Sequence, residues 1–386
     1  MSTSVLDAWL NSGLCTEING KQLGPVEHPL LPQTALSIQK GQAEVFPLLG
    51  RDGRDWILKK FHIGRALDAH YLAAVTPLLP DHSGFAAGKN REILSSASVN
   101  KIPGTYHNDT LARWLDGTIL MPRIAGIDWS SLADDLRDGA VQLDTPQRLA
   151  LCKGLSELIL LLEQAGLSHR DLSCGNVFID LPGQLVSLID FDSLYHADLA
   201  MPSGTTCGTV GYAPPYAWRD DLIDADRTWR PLADRYALTI LNTEFLILDR
   251  DVPLYAEGGM FDQHQLRARV GHTLELARVR LGSDCPQILP LFEATIQSSA
   301  FDDCPSPQDW LDICNASAIK PPSLDELMPP EQDYFTRILS KRQIALPLWP
   351  APQLDDVPAE DLALPADNNI ADSIVKLPED PWEPNT

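Results

Sequence analysis

Apolar and polar positions follow a strand-like period over residues 36–61 and change to a mostly helical period beyond residue 124. In the first stretch Ser37-Ile38, Glu44-Val45-Phe46-Pro47-Leu48-Leu49 and Trp56-Ile57-Leu58-Lys59-Lys60-Phe61 read as short strands, the last two joined by a Gly50-Arg51-Asp52-Gly53 turn. A period of two sends Lys59 and Lys60 to opposite faces. Helices are predicted around residues 65–79 and 88–97, and residues 117–121 read as one more strand. Further on, Leu149, Leu155, Leu158, Ile159 and Leu162 recur at helical intervals. Two apolar runs on either side of Pro182-Gly183, residues 177–179 and 186–189, read as a hairpin. Before residue 36 only a short helix over residues 5–10 is expected, because Pro25, Pro29 and Pro32 interrupt regular structure there.

The candidate chemistry lies between the last predicted helix and the hairpin. His169-Arg170-Asp171-Leu172-Ser173-Cys174-Gly175-Asn176 places a carboxylate and an amide five residues apart on one tight loop, and the hairpin carries a second carboxylate, Asp190, to the end of a strand beside it. Transfer of a γ-phosphoryl group asks little covalent chemistry of a protein. It needs an acceptor for the proton of the attacking hydroxyl, oxygen ligands for Mg²⁺ and positive charge for the phosphates. Asp171 fits the first need, Asn176 and Asp190 the second.

This stretch resembles the protein kinase superfamily, with the greatest likeness to bacterial eukaryotic-like serine/threonine kinases whose metal motif reads Ile-Asp-x-Asp-Ser. The resemblance implies an α+β, bilobal fold: a small antiparallel β lobe over residues 36–123, a larger and mostly helical lobe over 124–316, an N-terminal flank over 1–35 and a tail over 317–386. It also implies ATP and Mg²⁺ as cofactors and a protein substrate. Lys59, on a strand similar to the family's Ala-x-Lys strand, would contact the α and β phosphates. Its expected ion-pair partner is Glu92, read on the 88–97 helix, although the 33-residue gap is long for the family and a solvated helix glutamate is the alternative. Gly41 is the single glycine left in the loop expected over the phosphates, and Val45 follows it. Met121 and Ile124 resemble the hinge that holds adenine, and Asp128 is placed near the ribose. Gly208-Thr209-Val210-Gly211-Tyr212-Ala213-Pro214 resembles the segment that shapes the peptide platform, with Thr209 near Asp171. Ser203, Thr205 and Thr206 are candidate phosphosites for Arg170, while His169 and Asp234 brace the catalytic loop.

Several positions depart from the family pattern. Ser173 replaces the lysine two residues after the base, and Asp192 replaces the glycine of the metal motif, either as an extra carboxylate for a metal or as the start of a turn with Ser193. The glutamate that usually follows Ala-Pro is missing from Pro214-Pro215-Tyr216, and so is its arginine partner, from Cys304-Pro305-Ser306. Loss of both charges together is nearly neutral, whereas loss of one strands the other. Two other functions stay open on this evidence: a pseudokinase acting as a binding module, and a small-molecule kinase resembling aminoglycoside or sugar kinases.

Composition narrows the partners. The 386 residues carry 30 basic and 53 acidic side chains, a net charge of −23, which repels nucleic-acid backbones and anionic membranes and favours a neutral or basic protein substrate. No apolar run has the length of a membrane span, and the first residues lack the pattern of a secretory signal. Seven scattered cysteines without CxxC pairs point to a cytoplasmic, reducing setting. Residues 317–386 hold 12 of the 31 prolines and 13 acidic against 5 basic residues. Such a segment is expected to be disordered or draped over the domain.

Overall fold

The computed structural model describes residues 5–40, 43–62, 68–202, 208–252 and 259–316. Gly41, the candidate phosphosites Ser203, Thr205 and Thr206, and the 317–386 tail lie outside the described residues. The protein is mixed α+β, and the strand pairs among the described residues are antiparallel. The largest sheet has the order Glu92–Ile93, Ile119–Pro122, Asp55–Phe61, Ala43–Gly50, Lys21–Pro25, Thr16–Ile18 and Val99–Asn100, with Ile38–Lys40 paired as well to Ala43–Gly50. Its centre is the hairpin read from the sequence: Gly53 adopts φ 80°, a left-handed value open to glycine at little cost, and closes the turn. The register sets Lys59 opposite Val45 on one side and Ile119 on the other.

Residues 5–35 are part of the folded unit rather than a flank. Leu23, Gly24 and Pro25 pair with Gly50, Leu49 and Leu48, and the strand before them pairs with Val99–Asn100. Pro25 is compatible with this pairing because it sits at the end of its strand, where a missing N–H costs no central ladder bond. Helix Val5–Asn11 lays Leu6 and Trp9 into an apolar cluster with Ile18, Leu23, Phe46, Leu48 and Leu58. Trp9 is fully buried, and its removal would cost about 3–5 kcal/mol.

The helix expected over 88–97 is also different. A short helix, Ala86–Lys89, ends at Asn90, and the chain then extends as Glu92–Ile93 along Ile119–Pro122. Leu94 N–H to Thr118 O at 2.8 Å and Gly117 N–H to Leu94 O at 2.9 Å continue that pairing. Only Ala69–Val75, capped by the Asp68 carboxylate, and a following 3₁₀ turn form from the 65–79 stretch among the described residues.

Beyond residue 128 the described residues are mostly helical. Helix Thr145–Gln164 starts with a reciprocal cap, in which Asp144 and Gln147 each accept the other's backbone N–H. It packs against Arg235–Ile247 and Pro307–Ala316 in a second apolar cluster, with Leu155, Leu158, Ile159 and Leu162 facing Leu238, Leu241 and Trp310 among its buried members. A bidentate pair from Arg235 to Glu163, at 2.8 and 2.9 Å, joins two of these helices. Beside Pro215, Tyr216 lies 3.6 Å from the Cys304 sulfur and stacks edge-on to Phe301. No helix among the described residues is long and apolar enough to cross a membrane.

Candidate active site

The predicted hairpin builds the site. Val177–Asp180 pairs with Leu185–Leu188, so Asn176 and Ile189 are neighbours just beyond the ladder, and Ile189 N–H bonds Asn176 O at 3.0 Å. Ile127–Asp128 adds a third strand. Gly126, before it, has φ 86° and approaches so closely that a Cβ would lie 2.2 Å from Ile179 O.

Asp234 holds the start of the His169–Asn176 loop. Its buried carboxylate accepts His169 N–H at 2.5 Å and Arg170 N–H at 2.7 Å. Burial raises its pKa, against the pull of His169 and the two N–H groups. His169 places Nε2 at 2.8 Å from Ile189 O, which makes that nitrogen the donor, and its ring meets Phe191 edge-on. Arg170 takes a left-handed backbone, φ 70°. Its guanidinium is only 4% exposed as part of the residue, donates to Thr228 O, Ser193 O and Thr228 Oγ1 at 2.9–3.1 Å and stacks over Trp229. Backbone and hydroxyl oxygens thus hold its guanidinium in place.

The loop thus presents Asp171 and Asn176 together. Thr209 Oγ1 donates to Asp171 Oδ1 at 2.8 Å. Asn176 Nδ2 donates to Asp171 O at 2.8 Å and reaches Oδ2 at 3.4 Å, which leaves the Asn176 oxygen outside these bonds. Asp190, at φ 65°, turns out of the hairpin with its side chain 36% exposed. Lys59, far away in sequence, brings Nζ to 2.7 Å from Asp190 Oδ1 and 2.6 Å from Asp192 Oδ2. Burial disfavours its charge, but the two carboxylates more than offset this and raise its pKa, so the ammonium stays protonated. Burial also works against ionisation of Asp190, and Lys59 overcomes it and holds that pKa below the ordinary value. Asp192 goes the other way, raised by burial and by Asp190 against the pull of Lys59 and Arg91.

Lys59, Asp171, Asn176, Asp190 and Thr209 are thus joined by short contacts or by a shared loop, with His169, Arg170 and Asp234 beneath them. Val45 and Met121 lie on the strands that flank Lys59, Met121 opposite Ile57, and Ile124 follows at the strand's end. Lys60 is on the other face, donating to Trp114 O at 2.6 Å over the Trp114 ring.

Two assignments change. Glu92 is separated from Lys59: placed on a strand rather than a helix, it accepts Lys21 Nζ at 2.5 Å and Asn19 Nδ2 at 3.0 Å. Asp128 is a helix cap, its carboxylate accepting Ser131 N–H at 2.8 Å before helix Trp129–Asp138, and the residue is 4% exposed. That leaves it ill placed to meet a ribose. The Asp-x-x-Ser spacing ahead of an apolar helix was the available signal for the cap. Arg91 was missed altogether. Buried, it bonds Asp192 Oδ1 and Phe191 O, both at 3.1 Å, and Thr76 Oγ1 at 2.8 Å. No local pattern marks a contact made across a hundred residues.

The oxygens of Asp190 and Asn176 are of the type that a hard divalent cation prefers, and the Lys59 ammonium lies beside Asp190. No family model matches the chain, and no curated protein matches it.

Proposed function

We propose that the protein is an ATP- and Mg²⁺-dependent phosphotransferase that acts on a serine or threonine hydroxyl of a protein substrate. The observation that carries this reading is the convergence of Lys59, from the sheet, with Asp190, beside the loop that bears Asp171 and Asn176. A structural ion pair needs neither the amide nor the second carboxylate beside it. Asp190, kept ionised by Lys59, and the Asn176 oxygen would hold the cation, and the bound nucleotide supplies the phosphoryl group. Asp171 accepts the proton of the attacking hydroxyl, with Thr209 fixing one of its oxygens. The Gly208–Tyr212 segment supports a peptide substrate: Gly211 N–H is bonded to Gln263 Oε1 at 2.8 Å and Tyr212 to the buried Glu244, so this wall beside Asp171 is anchored to the helices. The charge of −23 favours neutral or basic substrates.

The test is thermal stabilisation by ATP with and without Mg²⁺, followed by transfer of labelled γ-phosphate to the chain itself and to a basic peptide. Binding that depends on Mg²⁺ together with transfer supports the reading, and no binding refutes it. A second reading, a binding module that does not turn over, is favoured by one observation: Lys59 is held by two carboxylates at once. Binding without transfer selects it.

A further inference from the structure

A lysine that contacts phosphates works only if an acid fixes its direction, and the segment where kinases carry that acid cannot supply one here. Between Lys60 and Arg91 the acidic residues are Asp68 and Asp81. Asp68 is committed to capping helix Ala69–Val75 through Tyr71 N–H, and Asp81 is almost fully exposed and paired with Lys89. Glu92, next in line, is drawn to Lys21.

We infer that Asp192 is the positioning acid for Lys59 and that Arg91 fixes it in place, an inference that rests on the phosphotransferase reading of the site. The two oxygens of Asp192 are divided between two cations: Oδ2 accepts Lys59 Nζ at 2.6 Å and Oδ1 accepts Arg91 Nη1 at 3.1 Å. Arg91 is anchored independently, through Nε to Thr76 Oγ1 at the end of helix Ala69–Val75 and through Nη1 to Phe191 O. The line Thr76–Arg91–Asp192–Lys59 therefore runs from that helix through the metal motif to the sheet. Asp190 also touches Lys59, but the two carboxylates differ. Asp190 has a 36% exposed side chain and one basic partner, whereas the Asp192 side chain is 14% exposed and clasped from both sides. Asp190 is thus available to a cation while Asp192 keeps the ammonium directed.

The position matters as much as the charge. Asp192 stands in the 3₁₀ turn Phe191–Ser193, two residues after Asp190, so the metal carboxylate and the lysine-directing carboxylate share one rigid turn. A glutamate on a separate helix can move away and disarm the lysine. Asp192 cannot leave without taking Asp190 with it, and the site is assembled by its own backbone.

Two measurements on the full chain test this, using Asp192→Asn and Asp192→Gly. The first is the affinity for MgATP by displacement of a fluorescent nucleotide, which both variants should weaken by about tenfold or more. The second involves no nucleotide: the pH profile of Lys59 acetylation by acetic anhydride, read by mass spectrometry. The groups facing the ammonium are Asp190, Asp192 and the Phe61 ring, with Arg91 behind Asp192. Loss of Asp192 removes one of the two charges that hold the proton on, so acetylation should begin at least about one pH unit lower than in the wild type. If Asp192→Asn folds poorly because it strands Arg91, the double variant Arg91→Gln, Asp192→Asn removes both charges, and the same two shifts are expected of it. Wild-type affinity together with a wild-type acetylation profile overturns the inference. A wild-type protein that does not bind MgATP overturns the phosphotransferase reading instead, and the acetylation profile still reports whether Asp192 controls Lys59.

Discussion

Glu244 is fully buried in helix Arg235–Ile247, where its carboxylate accepts Met260 N–H at 2.8 Å, Trp129 Nε1–H at 2.9 Å and Tyr212 O–H at 3.0 Å. Three donors favour the anion, yet burial outweighs them and pushes its pKa up to about 7, from an ordinary 4.5. Between these values the unfolded chain has released the proton and the folded protein still holds it. The folded state then binds more protons, so stability falls as pH rises through the window and levels off above about 7. At about 1.4 kcal/mol per pH unit, the fall totals about 3 kcal/mol. Glu244→Gln removes this dependence. The amide keeps one acceptor oxygen but turns an N–H₂ towards a donor, at a cost of about 1–3 kcal/mol. Urea unfolding measured from about pH 5 to pH 8 should therefore show the variant less stable at the acid end, with the gap closing or reversing by the alkaline end. Subtracting the two curves cancels the titration of Asp234 and the other groups they share. A gap that stays the same across the range would refute the assignment of a protonated, buried Glu244.

Asp171→Asn keeps an oxygen for Thr209 but no basic site, so phosphate transfer should drop at least about a hundredfold with MgATP affinity nearly unchanged, and a rate within about threefold of wild type would remove Asp171 from the mechanism. Asp190→Ala should abolish the Mg²⁺-dependent part of thermal stabilisation by ATP; if that part persists, the cation is held elsewhere. Gly126→Ala combines a left-handed backbone with a Cβ driven into Ile179 O, and a loss of about 2 kcal/mol or more is expected in urea unfolding. Arg170→Met removes the bonds to the carbonyls of Ser193 and Thr228 and should destabilise the fold by about 2–4 kcal/mol in urea unfolding; wild-type stability in this variant would show that these bonds do not hold the loop.

Legibility in the sequence followed range. The loop and hairpin from His169 to Asp190 could be placed because their chemistry is packed into neighbouring residues whose spacing restricts the geometry. Lys59 was picked out by the likeness of its strand to the Ala-x-Lys strand of protein kinases, strand alternation put Lys60 on the opposite face, and the joint loss of two charges at Pro215 and Cys304 pointed to a substituted pair without marking the contact of Tyr216 with Cys304. Glu92 failed because Arg-Glu-Ile-Leu is too short for periodicity to separate strand from helix, and pairing with residues 119–120 decided the matter. Asp192 was weighed as a local turn residue. Its ion pairs with Lys59 and Arg91 depend on three distant segments meeting, which no window of sequence contains. The N-terminal strands were hidden by Pro25 at the end of one strand, Pro29 in a turn and Pro32 near the start of another.

The pairing of Thr16–Ile18 with Val99–Asn100 puts a delay into synthesis of the chain. As the polypeptide leaves the ribosome, the hairpin of residues 43–61 can close at once, and Lys21–Pro25 can join it. The outer strand Thr16–Ile18, however, is left with one open edge until residues 99–100 emerge, several seconds later at about 5–20 residues per second. During that interval Leu6 and Trp9 have no complete surface to cover, since Leu111, Leu115 and Leu120 of their cluster have not yet been made. An amino-terminal truncation or a bulky fusion at this end would thus act first on the nascent chain, as lost yield of soluble protein, before any effect on the finished site could be measured.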